Sequence, residues 1–119
     1  MITGLLVAFA LQSLPSASAE WRDVTTPADE GPTWIDTASI RGPRTHREVV
    51  LRLFDKQTKG YGYMGVVLDC EARTMTFTAV RATDAAGNVT FDKQFAPADA
   101  MVKTYPKDDN GFASVVCAR

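Results

Sequence analysis

The sequence predicts an α+β domain: an antiparallel sheet of about six strands with a C-terminal helix on one face. Two observations carry this. Between residues 21 and 95, six stretches alternate apolar and polar residues with period two, and turn-forming residues separate them. Beyond residue 110 the period changes, and Phe112, Ala113, Val116 and Cys117 recur at helical i, i+4 spacing. Strands joined in sequence by short turns pair antiparallel, and a lone helix after them buries its apolar stripe on a sheet face.

The first nineteen residues stand apart from this pattern. Residues 2–11 form an apolar run, followed by polar Gln12 and Ser13, a helix-breaking Pro15 and the triplet Ala17-Ser18-Ala19. The run is too short to span a bilayer and matches a signal-peptide h-region with an Ala-x-Ala cleavage site. Cleavage is expected after Ala19, leaving a single domain over residues 20–119. A basic n-region does not precede the run, so either the start codon lies upstream or the segment is the buried first element of a cytosolic protein; the h-region and the cleavage triplet favour the leader. Beyond the leader no stretch has the length and apolarity of a membrane span.

In order, the expected strands are 21–24, 33–36, 48–54, 61–69, 73–81 and 89–95. Residues 25–32 hold two prolines, Gly31 and acids, which leave little to bury. Residues 37–40 read as a turn and 41–44 as a loop. In 48–54, Val49, Leu51 and Leu53 share one face and Val50, Arg52 and Phe54 the other. Residues 55–60 form a polar turn. In 61–69, Met64, Val66 and Leu68, continued by Cys70, form the inward face, and Gly60, Gly62 and Gly65 mark a bulge or a close backbone approach. In 73–81, Met75, Phe77 and Ala79 face inward against threonines on the wet side. Residues 84–88 make a hairpin turn. Residues 97–102 read as a link with one helical turn, and Asp108, Asp109 or Asn110 as the cap of the final helix.

The net charge of −1 excludes a generally basic nucleic-acid binder, but charge is unevenly placed. Residues 20–40 carry five acids and one base, whereas Arg41, Arg44, Arg47, Arg52, Lys56 and Lys59 outweigh Glu48 and Asp55 in 41–59. The candidate partner-binding residues are Arg41, Arg44, Arg47, Lys56 and Lys59, with Tyr61 and Tyr63 as exposed aromatics beside them. Such a cluster would attract an acidic protein face, a sulfated glycan or a lipid phosphate. The competing reading is a hairpin with solvated flanks. Trp21 and Trp34 are expected in the core, as the apolar payload of short strands.

Catalytic chemistry finds little support, and no catalytic residue, metal site or cofactor is assigned. His46 is the only histidine and no motif brings a serine to it, so a solvated loop histidine is the better account. Asp108-Asp109 reads as a helix-start charge pair rather than half of an oxygen-ligand site. The glycines of residues 60–65 lack the lysine, serine and following helix of a phosphate loop. Asn88-Val89-Thr90 matches a glycosylation sequon but is better read as part of the hairpin turn.

Two cysteines in an exported chain read as one disulfide, Cys70–Cys117, whereas in a cytosolic chain they would be two buried thiols. A bridge would pin the helix to the sheet.

Several of these residues together resemble the surface-adhesin protein E family of small exported bacterial domains. They are Trp21-x-x-Val24, then Trp34-Ile35-Asp36-Thr37-Ala38-Ser39-Ile40-Arg41, which is similar to an aromatic-x-Asp-x-x-Ser-Ile pattern. Leu68-Asp69-Cys70 with Arg73, a hairpin at Gly87 and the closing Val115-Val116-Cys117 complete the likeness. The resemblance covers nearly all of residues 20–119. It implies a sheet of about six antiparallel strands, with the helix held by Cys70 and Cys117. It also implies adhesion to host matrix or plasma proteins and a capacity to form homodimers. Met101 stands where many members carry an aromatic residue, and a lipid-anchoring cysteine does not follow the leader. The expectation is thus an exported, non-catalytic binding protein, periplasmic, secreted or at the cell surface. The alternative is a periplasmic accessory or inhibitor-type protein that binds the cell's own envelope components.

Overall fold

The structure is a computed structural model that describes Leu14, residues 18–108 and residues 111–118. Of the expected leader only Leu14, Ser18 and Ala19 fall within it. Its apolar run and Pro15 lie outside the described residues, as do Asp109 and Asn110.

Seven strands form one antiparallel sheet: β1 (Trp21–Asp23), β2 (Thr33–Arg41), β3 (Arg47–Phe54), β4 (Tyr61–Asp69), β5 (Thr74–Thr83), β6 (Val89–Gln94) and β7 (Met101–Thr104). Among the described residues a single short helix, α1 (Phe112–Val116), follows the strands. Strands β1 to β6 lie side by side in chain order, as consecutive hairpins dictate. The outer edge of β5 is shared: β6 pairs with Ala79–Thr83 and β7 with Thr74–Phe77.

One sheet face builds the main core. Ile35, Val49, Leu51, Val66, Leu68 and Met75 are buried against Ala113 and Val116 of α1. Period-two alternation places these strand residues on one side, so the helix covers the apolar face as expected. Cys70, one residue past β4, is bonded to Cys117 at the C-terminal cap of α1, with Cα atoms 5.6 Å apart. The Arg44 carbonyl accepts from the Cys70 N–H at 2.7 Å while its guanidinium Nη1 donates to the Cys117 carbonyl at 2.6 Å. One arginine therefore grips both halves of the bridge.

Four expectations are corrected. Residues 37–40 are not a turn but the irregular middle of β2. Asp36 pairs with Val50 and Arg41 with Glu48, so β2 uses three more residues than β3 over this interval. The excess is held by side chains. Ser39 Oγ donates to the Asp36 carbonyl at 2.7 Å and accepts the Val50 N–H at 2.9 Å, in place of a ladder bond. The buried Asp36 carboxylate accepts the N–H groups of Glu20 (2.9 Å) and Ala38 (3.0 Å).

Second, the last two residues of the expected 97–102 link, Met101 and Val102, begin a strand, β7. Third, Ala79 does not share a face with Met75 and Phe77. Thr78 has no paired residue on β4, since Gly65 pairs with Ala79 and Val66 with Phe77. That one extra residue turns Ala79 to the face away from the helix. Fourth, α1 is capped by Gly111 with no side-chain hydrogen bond, so Asp108 is not its cap.

Of the glycines, Gly60 marks a close approach: a Cβ there would run into the Thr83 carbonyl. Among the described residues no helix is long and apolar enough to cross a membrane.

Candidate functional site

The face of the sheet away from α1 carries the chemistry. Register places Asp23, Trp34, Arg52, Tyr63, Arg81 and Asp92 opposite one another in a single row across six strands. A second row runs Trp21, Asp36, Val50, Gly65, Ala79 and Gln94. Large rings therefore sit toward β1 and β2, and small residues lie at the centre.

Arg52 is the hub. Its guanidinium carbon lies 4.5 Å from the Trp21 ring centroid, 4.3 Å from Trp34 and 4.9 Å from Tyr61. Rings at these distances attract the cation through their quadrupoles. The rings also contact one another: Trp34–Tyr61 centroids are 6.1 Å apart, Phe54–Tyr61 5.6 Å and Trp21–Tyr63 6.1 Å. Arg52 Nε is buried with no hydrogen-bond partner among the described residues.

Arg81 flanks Tyr63 on the other side. Its Nη2 donates to the Asp92 carboxylate at 2.9 Å, and its Nη1 donates to the backbone carbonyl of Leu14 at 2.8 Å. Leu14 itself is buried against Tyr63 and Ala79, with Trp21, Val50 and Tyr61 around it. Beside Leu14 a cavity of about 170 Å³ continues past Ser18, Asp36, Ser39, Val50 and Gly65. Gly65 leaves room in its lining because it carries no side chain.

The candidate residues read from the sequence are not gathered in one place. Arg44 and Arg47 are at the helix end of the sheet, where their Nη1 atoms donate to the Cys117 carbonyl (2.6 Å) and the Val116 carbonyl (3.3 Å). There they satisfy carbonyls that a helix terminus leaves unpaired. Arg41, 3.8 Å from Glu48, lies elsewhere: both line the cavity beside Leu14 on the face away from α1. Lys56 and Lys59 are exposed in the β3–β4 turn at the opposite end of β3, about 25 Å of strand away. Tyr61 is half-buried on the aromatic face. Tyr63 is buried rather than exposed, because Leu14 covers it. Trp21 and Trp34, expected in the core, are half-buried around Arg52, with Trp21 packed against the Leu14–Tyr63–Ala79 cluster.

Two carboxyls at the margins of this face are held below their ordinary value. Asp23 accepts the hydroxyl and N–H of Thr25, the latter at 2.8 Å, and Asp55 accepts the Gln57 N–H at 2.9 Å. Both stay ionised well into acid. His46 is exposed in the β2–β3 turn, and no three metal-ligating side chains gather among the described residues.

Sequence reasoning placed Arg52 on one side of β3 with Val50 and Phe54 but did not single it out. The signal was present in the alternation, since Trp34, Arg52, Tyr61 and Tyr63 all fall on one side once the hairpins are paired. What was missing was the register. Together, fold and site define a small disulfide-tethered β domain with an arginine–aromatic face. No family model matches the chain, and no curated protein or solved structure matches it either.

Proposed function

We propose that this is an exported, non-catalytic binding domain that engages another macromolecule through the sheet face opposite its helix. The carrying observation is Arg52 enclosed by Trp21, Trp34 and Tyr61 on a face that α1 leaves uncovered. Arginine, tryptophan and tyrosine are the residues that concentrate binding energy at interfaces. Stacking also holds the guanidinium rigid, which lowers the entropy cost of recognition.

Lys56 and Lys59 lie in the hairpin between Phe54 and Tyr61, at the rim of this face, and favour an acidic protein or glycan partner. The Cys70–Cys117 disulfide supports an oxidising compartment. Adhesion to host matrix or plasma proteins is the partner class that the sequence resemblance adds. An envelope partner of the cell itself is the alternative.

A photo-cross-linking residue at position 61 tests the reading, with one at Ser114 on α1 as control. Adducts with a protein or glycan are expected from position 61 and not from 114. Equal or absent labelling at both positions would remove it. Detection on intact cells separates the partners, since adhesion requires surface exposure.

A further inference from the structure

The seat of Leu14 tells what this face can hold. An aliphatic side chain is buried over Tyr63 and Ala79, and its own carbonyl is taken by Arg81. This is the recognition of a peptide, one side chain in an apolar seat and one main-chain acceptor on a fixed donor. Arg81 is fixed for that task by Asp92. The open cavity beyond Leu14 prolongs the seat toward Ser39 and Asp36.

We propose that this seat is a binding site for a polypeptide segment carrying an aliphatic side chain, and that Leu14 fills it in cis until the leader is removed. The proposal rests on the reading of this face as a binding surface and names the ligand class. The leader boundary suits the role. Hydrolysis of the Ala19–Glu20 bond by an endopeptidase consumes one water, leaves a carboxylate on Ala19 and frees the α-amine of Glu20. Leu14 departs with the leader, and Tyr63 and Ala79 lose their cover. The Glu20 nitrogen already lies 2.9 Å from the buried Asp36 carboxylate. Protonated after cleavage, it pairs with that carboxylate and fastens the new terminus beside the seat rather than across it. Arg81 is left with Nη1 unoccupied, ready for a carbonyl supplied in trans.

The test uses the full chain and a fluorescent peptide of sequence 11–18, read by anisotropy. The wild-type chain should bind the peptide weakly, because a tethered competitor acts at an effective concentration in the millimolar range. Leu14→Asp should tighten binding by roughly tenfold or more by removing that competitor. Adding Arg81→Gln, or Ala79→Leu to fill the seat, should return binding to the wild-type level. The peptide carrying Asp at its Leu14 position should not bind. A Leu14→Asp chain that melts cooperatively yet binds no better than wild type overturns the proposal. Leu14→Gly carries the same test where the aspartate prevents folding. Absent peptide binding with position-61 cross-links intact overturns the peptide site and leaves the binding face standing. Loss of the cross-links as well removes both.

Discussion

At the scale of single residues, the irregular middle of β2 depends on Ser39. Its hydroxyl occupies the place of a backbone acceptor for Val50 and at the same time binds the Asp36 carbonyl. Ser39→Ala removes both and leaves a part-buried N–H without a partner. The expected loss is about 1–3 kcal/mol, read as a lower denaturant midpoint at unchanged slope. The acidic turns make a second, pH-dependent contribution. Asp84 accepts the N–H groups of Asn88 at 2.9 Å and Ala86 at 3.0 Å, and the Asn88 bond above all holds its carboxyl below the ordinary value of 3.8. Asp23 and Asp55 behave alike. A carboxyl depressed in the folded state contributes stability that is fully present above its unfolded value. That stability is lost as pH falls through the lower folded value. Melting temperature should therefore be flat with respect to these groups above about pH 5 and fall below pH 3.8. Asp84→Asn should remove its share of that fall, and an unchanged acid limb would contradict the assignment.

At the scale of elements, what the sequence made legible was what alternation alone can encode. The five stretches 21–24, 48–54, 61–69, 73–81 and 89–95 match strands to within one or two residues at each end, and the helix-side core follows from Val49, Leu51, Val66 and Leu68. Three features were hidden for physical reasons. The 37–40 segment carries extra residues whose stabilisation comes from Ser39 and Asp36 side chains, not from apolar spacing. Thr78 is one inserted residue in an otherwise regular strand, and a period-two reading carried across it puts Ala79 on the wrong face. Strand β7 is exposed at all four positions, so no alternation announces it. Met101 and Val102 remain largely in solvent there, as Val89 and Phe91 do on β6. The binding face was legible only in its ingredients, since the rows across six strands come from registers that no single strand encodes.

The helix depends on its tether. Five residues are too few for a helix to persist alone, and two of them, Ala113 and Val116, are buried on the sheet. The bridge joins positions 47 apart in sequence. Closing a loop of about 48 residues is worth about 4 kcal/mol in the chain-entropy account. Reduction is expected to lower the melting temperature by roughly 15 °C or more, since about 1 kcal/mol moves a domain of this size by several degrees. A melting curve indifferent to reductant would contradict a structural role. Arg44 and Arg47, which reach the last helix carbonyls, would then be the principal anchors of α1.

At the scale of the whole molecule, the sheet divides the domain into two faces of different make-up. One is sealed by α1 and the disulfide and supplies most of the core. The other gathers Arg52, its three rings and the Leu14 seat, and Leu14 belongs to the segment expected to be removed. On the proposed reading, stability and recognition lie on opposite sides of one layer, and removal of the leader would act on the second without disturbing the first. The central claim is that the working protein is the processed, oxidised domain with this face uncovered. Its most direct test is the intact mass of the protein recovered from an envelope extract, with and without thiol alkylation. The account predicts a chain beginning at Glu20, two hydrogens lighter than its sequence and inert to the alkylating reagent. A full-length chain that takes up two alkyl groups would contradict it, for Leu14 would then remain in its seat and Cys70 and Cys117 would be free thiols.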